Sequence, residues 1–194
     1  PFDINNITTN LEYRDFVIVG LLIDGRDGNN LAGIDDNWLY IQDSSVTLGR
    51  LQLFHNWSPH MVADGDHLWI GAEYFCQEGD DLWSMADQDL IQFATKELEV
   101  LGLIDANKQF DGVVVRMPKA YPSYVGTYNN FESAQTYFDR FSNLFLVGRN
   151  GMHKYNNQDH SMLTAMEAVE NILQGKTSKD NIWGVNTAQD YLEK

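Results

Sequence analysis

The residues best suited to chemistry lie in one stretch, 144–170, LFLVGRNGMHKYNNQDHSMLTAMEAVE. Arg149 stands between Gly148 and Gly151, just past an apolar run at 144–147. A guanidinium so placed can pair with a phosphate, or with another ligand oxygen, through parallel charge-assisted hydrogen bonds. Flanking glycines allow a ligand to approach the backbone closely. A polar segment follows from His153 to His160, with amides at Asn156 and Asn157 and an acid at Asp159. Met162, Met166, Val169 and Leu173 then recur at helical spacing, with Ala165 and Ile172 beside them. This predicts a helix starting within 159–163, capped by Asp159 or Ser161, with the apolar stripe in the core. The run 144–147 predicts a short buried strand. The unit is therefore strand, Gly-containing polar loop, helix start, and a helix start suits an anion because its amides are unpaired and its dipole is positive there. A loop arginine carries no core packing, so Arg149 is expected to matter for a ligand and little for stability.

Tyr121, Tyr124, Tyr128 and Tyr155 gather around Pro122 and the polar segment, and tyrosines with a polar tip can line a substrate. His153 and His160 border the same segment and could move protons near neutral pH, although a satisfied structural histidine explains each as well. His55 and His60 flank Pro59 and cannot share a helix face, so no zinc pair is expected. Glu73 and the run Glu78-Gly79-Asp80-Asp81 invite a calcium or glycosidase reading, but Gly79 and the short spacing fit a solvated turn. The single cysteine, Cys76, excludes an internal disulfide and a cysteine-rich metal site.

The elements that must position these groups can be read in chain order. Residues 16–23, FVIVGLLI, form a strand buried on both faces, and 24–30, DGRDGNN, a turn. Short strands are expected at 38–42 and 50–55, a loop at Asn56-Trp57-Ser58-Pro59 and an aromatic-rich strand at 68–76. Ser84 and Asp87 resemble a capping pair ahead of a helix striped by Leu90, Ala94, Leu98 and Leu101 and closed by Gly102. A strand at 112–117 should stop at Pro118, a helix should cover 132–141, and Asn186 should open a short terminal helix. Strands and helices mix without βαβ alternation, so the fold class is α+β.

The string GRNGMHKYNNQDHSMLTAMEAVENI resembles the C-terminal cofactor-contacting motif of the FAD-dependent amine-oxidase-like superfamily, in its protoporphyrinogen-oxidase-like and UDP-galactopyranose-mutase-like branch. DNWLYIQD, NWSPHMVAD, AEYFCQEGDDLW and KAYPSY resemble segments of the same branch in the same order, so the likeness covers about residues 10–175. It implies the mixed sheet and helices of a flavoprotein substrate-binding domain (1–143), the last strand, loop and helix of the FAD domain (144–175) and a tail (176–194). It further implies FAD contacts from Gly148, Arg149, Gly151, Asn157, Gln158, Asp159, Ser161 and Met162, and a substrate face from Tyr121, Tyr124, Tyr128 and Tyr155. No G-x-G-x-x-G follows a strand, so the chain is expected to be a C-terminal fragment whose N-terminal FAD-binding portion is missing. The implied reaction is flavin-mediated oxidation of a small molecule. The alternative within the family is a sugar-nucleotide ring contraction of the UDP-galactopyranose mutase type.

With 194 residues the chain can bury a sizeable core, and its 28 acidic against 13 basic residues, net −15, repel nucleic acid and anionic membranes. No membrane span or signal peptide is evident, and cytosolic chemistry is the expectation. A stand-alone carbohydrate-binding module is the reading from a different class. It needs aromatics exposed on one sheet, whereas Trp69, Tyr74 and Phe145 lie within apolar runs and should be buried.

Overall fold

The computed structural model describes residues 3–25, 30–31, 33–63 and 65–186. The chain passes through α1 (Ile4–Thr9), β1 (Tyr13–Asp24), β2 (Trp38–Tyr40), β3 (Arg50–Leu53), α2 (Phe54–Trp57) and β4 (His67–Cys76). It continues through α3 (Asp81–Ser84), α4 (Asp87–Val100), β5 (Gln109–Pro122), α5 (Phe131–Asp139), α6 (Gly148–Met152), α7 (Gln158–Gln174) and α8 (Asp180–Trp183). The strands form one sheet in the order β2-β3-β4-β1-β5, and the β1/β4, β2/β3 and β3/β4 ladders are antiparallel. The fold is therefore α+β. It divides into two compact units, one of residues 15–118 and the other of residues 1–14 and 119–194. The boundary expected at 143/144 falls inside the second of these.

The 15–118 unit holds the larger core. Along β1 the residues Val17, Val19, Leu21 and Ile23 are fully buried, opposite Tyr74, Ala72, Ile70 and Leu68 of β4. The other face of β1, with Phe16, Ile18 and Leu22, is only half-buried, so the strand alternates where burial on both faces was expected. Helix α4 covers the buried face with Leu90, Ile91, Ala94 and Leu98. Each such leucine or isoleucine contributes roughly 1.5–3 kcal/mol when fully buried. Gly102, at φ +68, ends the helix in the left-handed region, as its position after Leu101 predicts. The cap at the other end differs: Ala86 precedes the helix without a side-chain cap, and Asp87 is its first residue. The carboxylate of Glu97, buried on α4, accepts hydrogen bonds from the amides of Thr47 and Leu48 and from the Tyr74 hydroxyl.

Several boundaries move. The strand at 38–42 shortens to β2, and 50–55 ends at Leu53, where the chain turns into α2 across part of the expected loop. Strand β5 runs through Pro118 to Pro122; as the terminal strand of the sheet it has an edge where a missing N–H donor costs no ladder bond. The helix at 132–141 is α5, one residue earlier at its start and two shorter at its end. The turn at 24–30 and the terminal helix after Asn186 fall largely outside the described residues.

Candidate functional site

The stretch that anchors the sequence reading lies in the unit of residues 1–14 and 119–194, and it folds differently from expectation. Residues 144–147 are not a strand. Four residues give little ladder to form, and 144–147 pair with no sheet; Phe145, Leu146 and Val147 pack instead against a small cluster of Met152, Ala168, Ile182 and Trp183. The GRNGM string is not a loop but the short helix α6. Gly148 is required at its start because φ there is +71. Gly151 is not needed for close approach within the chain, since a Cβ would meet only the Leu146 backbone at 3.7–3.8 Å.

Arg149 therefore leaves a helix, and two of the five N–H donors of its guanidinium are already engaged. Its Nε donates to the Asn156 carbonyl at 3.0 Å and its Nη1 to the Ala120 carbonyl at 2.9 Å. The group also lies 4.5 Å from the centre of the Tyr155 ring and 5.2 Å from that of Tyr121. These two rings stack on each other at 5.5 Å. The premise of a loop arginine without packing does not hold: Arg149 ties together the end of β5, α6 and the segment leading into α7. Its Nη2 enters no hydrogen bond among the described residues, which leaves that terminal nitrogen for a ligand.

The four tyrosines do come together, as two pairs. Tyr121 stacks with Tyr155, and Tyr124 lies 4.8 Å from Tyr128. The pairs are joined where the Tyr155 amide donates to the Tyr124 hydroxyl at 2.7 Å. Burial, and then the neighbouring Tyr124, push the Tyr128 hydroxyl above its ordinary pKa. Asn186 donates to the Tyr155 carbonyl and closes the other side of the segment.

Helix α7 begins at Gln158, one residue before the expected window, and its cap is Asn157 rather than Asp159 or Ser161. Asn157 accepts from the third helical amide, while His160 Nδ1 accepts from the Asn157 amide, a reciprocal pair at the helix entrance. His160 is thereby a capping residue. Gln158, Asp159 and Met162 are exposed, and Ser161 is half-buried beside α6. The helix is fastened to α6 through Thr164, whose hydroxyl accepts from the Gly148 amide at 3.0 Å.

The apolar stripe of α7 is not in the core. Met162, Met166, Val169, Ile172 and Leu173 are 55–76% exposed, and the buried residues of the helix are Thr164, Ala168 and Asn171. The periodicity identified a helix but assigned its faces the wrong way round. Small and polar side chains face α6 and α8, where Asn171 exchanges hydrogen bonds with Asn181.

A second polar cluster, in the 15–118 unit, was not recognised from sequence. Arg50 and Glu73, both buried, form an ion pair joined by Gln52. The Arg50 guanidinium lies 4.8 Å from the Trp38 ring centre and 5.7 Å from that of Tyr40. The signal was present: Arg50 and Gln52 alternate with Leu51 and Leu53 at strand period, and Glu73 is opposite Arg50 in register. A paired, buried Glu73 does not have the open coordination of a calcium or glycosidase carboxylate. Glu78-Gly79-Asp80 is an exposed turn closed by Asp80 accepting from the Gln77 amide. Among the described residues no group of three or more His, Cys, Asp or Glu side chains could hold a metal ion, and no helix is long and apolar enough to cross a membrane. Tyr74 is buried and Trp69 and Phe145 half-buried, but Trp38, Tyr40, Trp57 and Phe75 are 37–57% exposed.

This chain has counterparts in fold among solved structures. It is similar in fold to reduced UDP-galactopyranose mutase, with a TM-score of 0.75 and 22% identity over 93% of this chain and 38% of that one. It is also similar to a candidate protoporphyrinogen oxidase from Exiguobacterium sp. 255-15, with a TM-score of 0.58 and 16% identity over 84% of this chain and 36% of that one. The chain thus spans under two-fifths of either neighbour, and at these identities the likeness is one of fold. No family model and no curated protein matches the sequence.

Proposed function

We propose that this chain is the substrate-side part of a cytosolic FAD-dependent oxidoreductase acting on a small molecule. In this reading residues 144–175 belong to the cofactor domain and 1–143 largely to the substrate domain. A further portion of the same protein carries the dinucleotide fold that seats the ADP half. The observation that carries the reading is the combination at α7: an exposed polar helix entrance continuous with an exposed apolar stripe. An apolar face of this kind on a chain with the fold of about two-fifths of a larger enzyme is where the remaining portion packs.

The residues present fit the edge of a flavin. Gly148 and Gly151 frame α6, Arg149 keeps Nη2 for an oxygen, and Asn157, Gln158, Asp159, Ser161 and Met162 offer polar groups and one apolar contact around the start of α7. When bound, the flavin supplies the electron chemistry. The chain's own contribution is to orient: Arg149 holds the Tyr121/Tyr155 stack, and the Tyr155–Tyr124 hydrogen bond sets the second tyrosine pair beside it. A substrate lying on these rings would be held by stacking and by their hydroxyls.

A second reading, sugar-nucleotide isomerisation, is favoured by the Arg149–Tyr155 contact, which the resemblance to the mutase-type ending picks out. An antibody raised against this chain should isolate, from the native cells, a polypeptide more than twice as long with a flavin absorption spectrum. Turnover with an electron acceptor then supports the oxidoreductase, and acceptor-independent conversion of a sugar nucleotide supports the isomerase. Isolation of a colourless protein of this chain's own length would overturn both.

A further inference from the structure

His153 follows α6 with φ +46, in the left-handed region that a non-glycine residue rarely adopts. Its ring is 1% exposed. Nε2 lies 3.0 Å from the Ser123 carbonyl and so carries the proton, which leaves Nδ1 as a bare acceptor. Nδ1 is buried and has no hydrogen-bond partner. Around the ring stand Tyr13 at 4.7 Å, edge to face, Tyr128 at 5.5 Å and Phe131 at 5.9 Å. One side chain thus touches the segments at 13, 123 and 128–131, while its backbone belongs to the segment from Arg149 to Tyr155.

We propose that His153 is an acid-sensitive pin: the neutral ring locks the Arg149–Tyr155 segment into an aromatic box, and the doubly protonated ring releases it. The surroundings offer the cation nothing. From residues 119–124 come the Ser123 carbonyl and Lys119, whose ammonium lies over the Tyr13 ring. From the amino-terminal side comes Tyr13, from 128–131 come Tyr128 and Phe131, and from His153's own segment come two cations, Arg149 and Lys154. No carboxylate contacts the ring among the described residues. A new Nδ1–H would be a buried donor aimed at rings, and the added charge would be buried without a counter-ion. Burial accordingly pushes the ring below the usual histidine range, with the Ser123 contact opposing it. A histidine whose folded pKa is depressed resists protonation while the opened state accepts it, so stability is full above the ordinary histidine pKa and is lost as pH falls below it.

The test is hydrogen exchange on the chain, reading protection factors at 149–156 from about pH 7 to about pH 5, where an unperturbed histidine takes its proton. Protection there should fall about tenfold or more across that range. His153→Gln, which keeps an N–H donor but cannot titrate, should flatten the profile. Amides at 91–98 in α4, a helix of the other unit that contains no histidine, serve as the internal control. If the variant does not fold, the wild-type imidazole titration by NMR decides, with a midpoint below the ordinary value expected. A pH-independent profile at 149–156, or a ring titrating at or above the ordinary value, would overturn the proposal. It does not depend on the flavoprotein reading.

Discussion

Helices α4 and α7 resemble each other in sequence and behave oppositely in the fold. Both carry apolar residues at helical spacing. On α4 that stripe, Leu90, Ile91, Ala94 and Leu98, is buried against the sheet of its own unit. On α7 the stripe of Met162, Met166, Val169, Ile172 and Leu173 is open, and Thr164, Ala168 and Asn171 are inside. Periodicity reports that a helix has two faces; what covers each face is decided by partners. For α4 the partner lies in this chain. For α7 the partner proposed above is a further portion of the same protein.

The contrast can be sharpened by truncation. Leu98→Ala on α4 should destabilise the chain by about 2–5 kcal/mol, measured by urea unfolding, because it leaves a cavity in the main core. A loss below about 1 kcal/mol would mean that α4 is not the lid of that core. Arg149→Ala should cost about 1.5–3 kcal/mol through its two charge-assisted bonds to carbonyls, with Arg149→Lys recovering only part. An unchanged unfolding midpoint would return Arg149 to a purely ligand-binding role. Val169→Ala and Ile172→Ala on α7 should change stability by no more than about 0.5 kcal/mol, since neither residue is in the core. A loss comparable to that of Leu98→Ala would show that α7 does bury its stripe.

Much of the 15–118 unit was legible, because its strands and α4 find their partners nearby in the chain and their apolar patterns are satisfied there. Gly102 marked the end of α4 because only a left-handed residue fits that turn. The site was legible in composition and not in conformation. The tyrosines were expected together around the polar segment and are, whereas the packing of Arg149 on Tyr121 and Tyr155 was not foreseen. Residues 144–147 misled because a short apolar run cannot distinguish a strand from an extended segment packed on helices. The cap of α7 moved to Asn157 because Asn, Asp and Ser are all good caps, and the reciprocal contact with His160 decides among them. The Arg50–Glu73 pair was missed because its partners lie 23 residues apart and meet only through strand register.

The most direct test is methionine footprinting with peroxide, which oxidises exposed thioethers. In a monomeric preparation of this chain, Met162 and Met166 should oxidise readily, while Met152, fully buried, should resist. In the protein isolated from native cells, Met162 and Met166 should become protected as Met152 is. If they remain as reactive there as in the chain alone, nothing covers α7, and the placement of a cofactor-binding portion on that face is wrong.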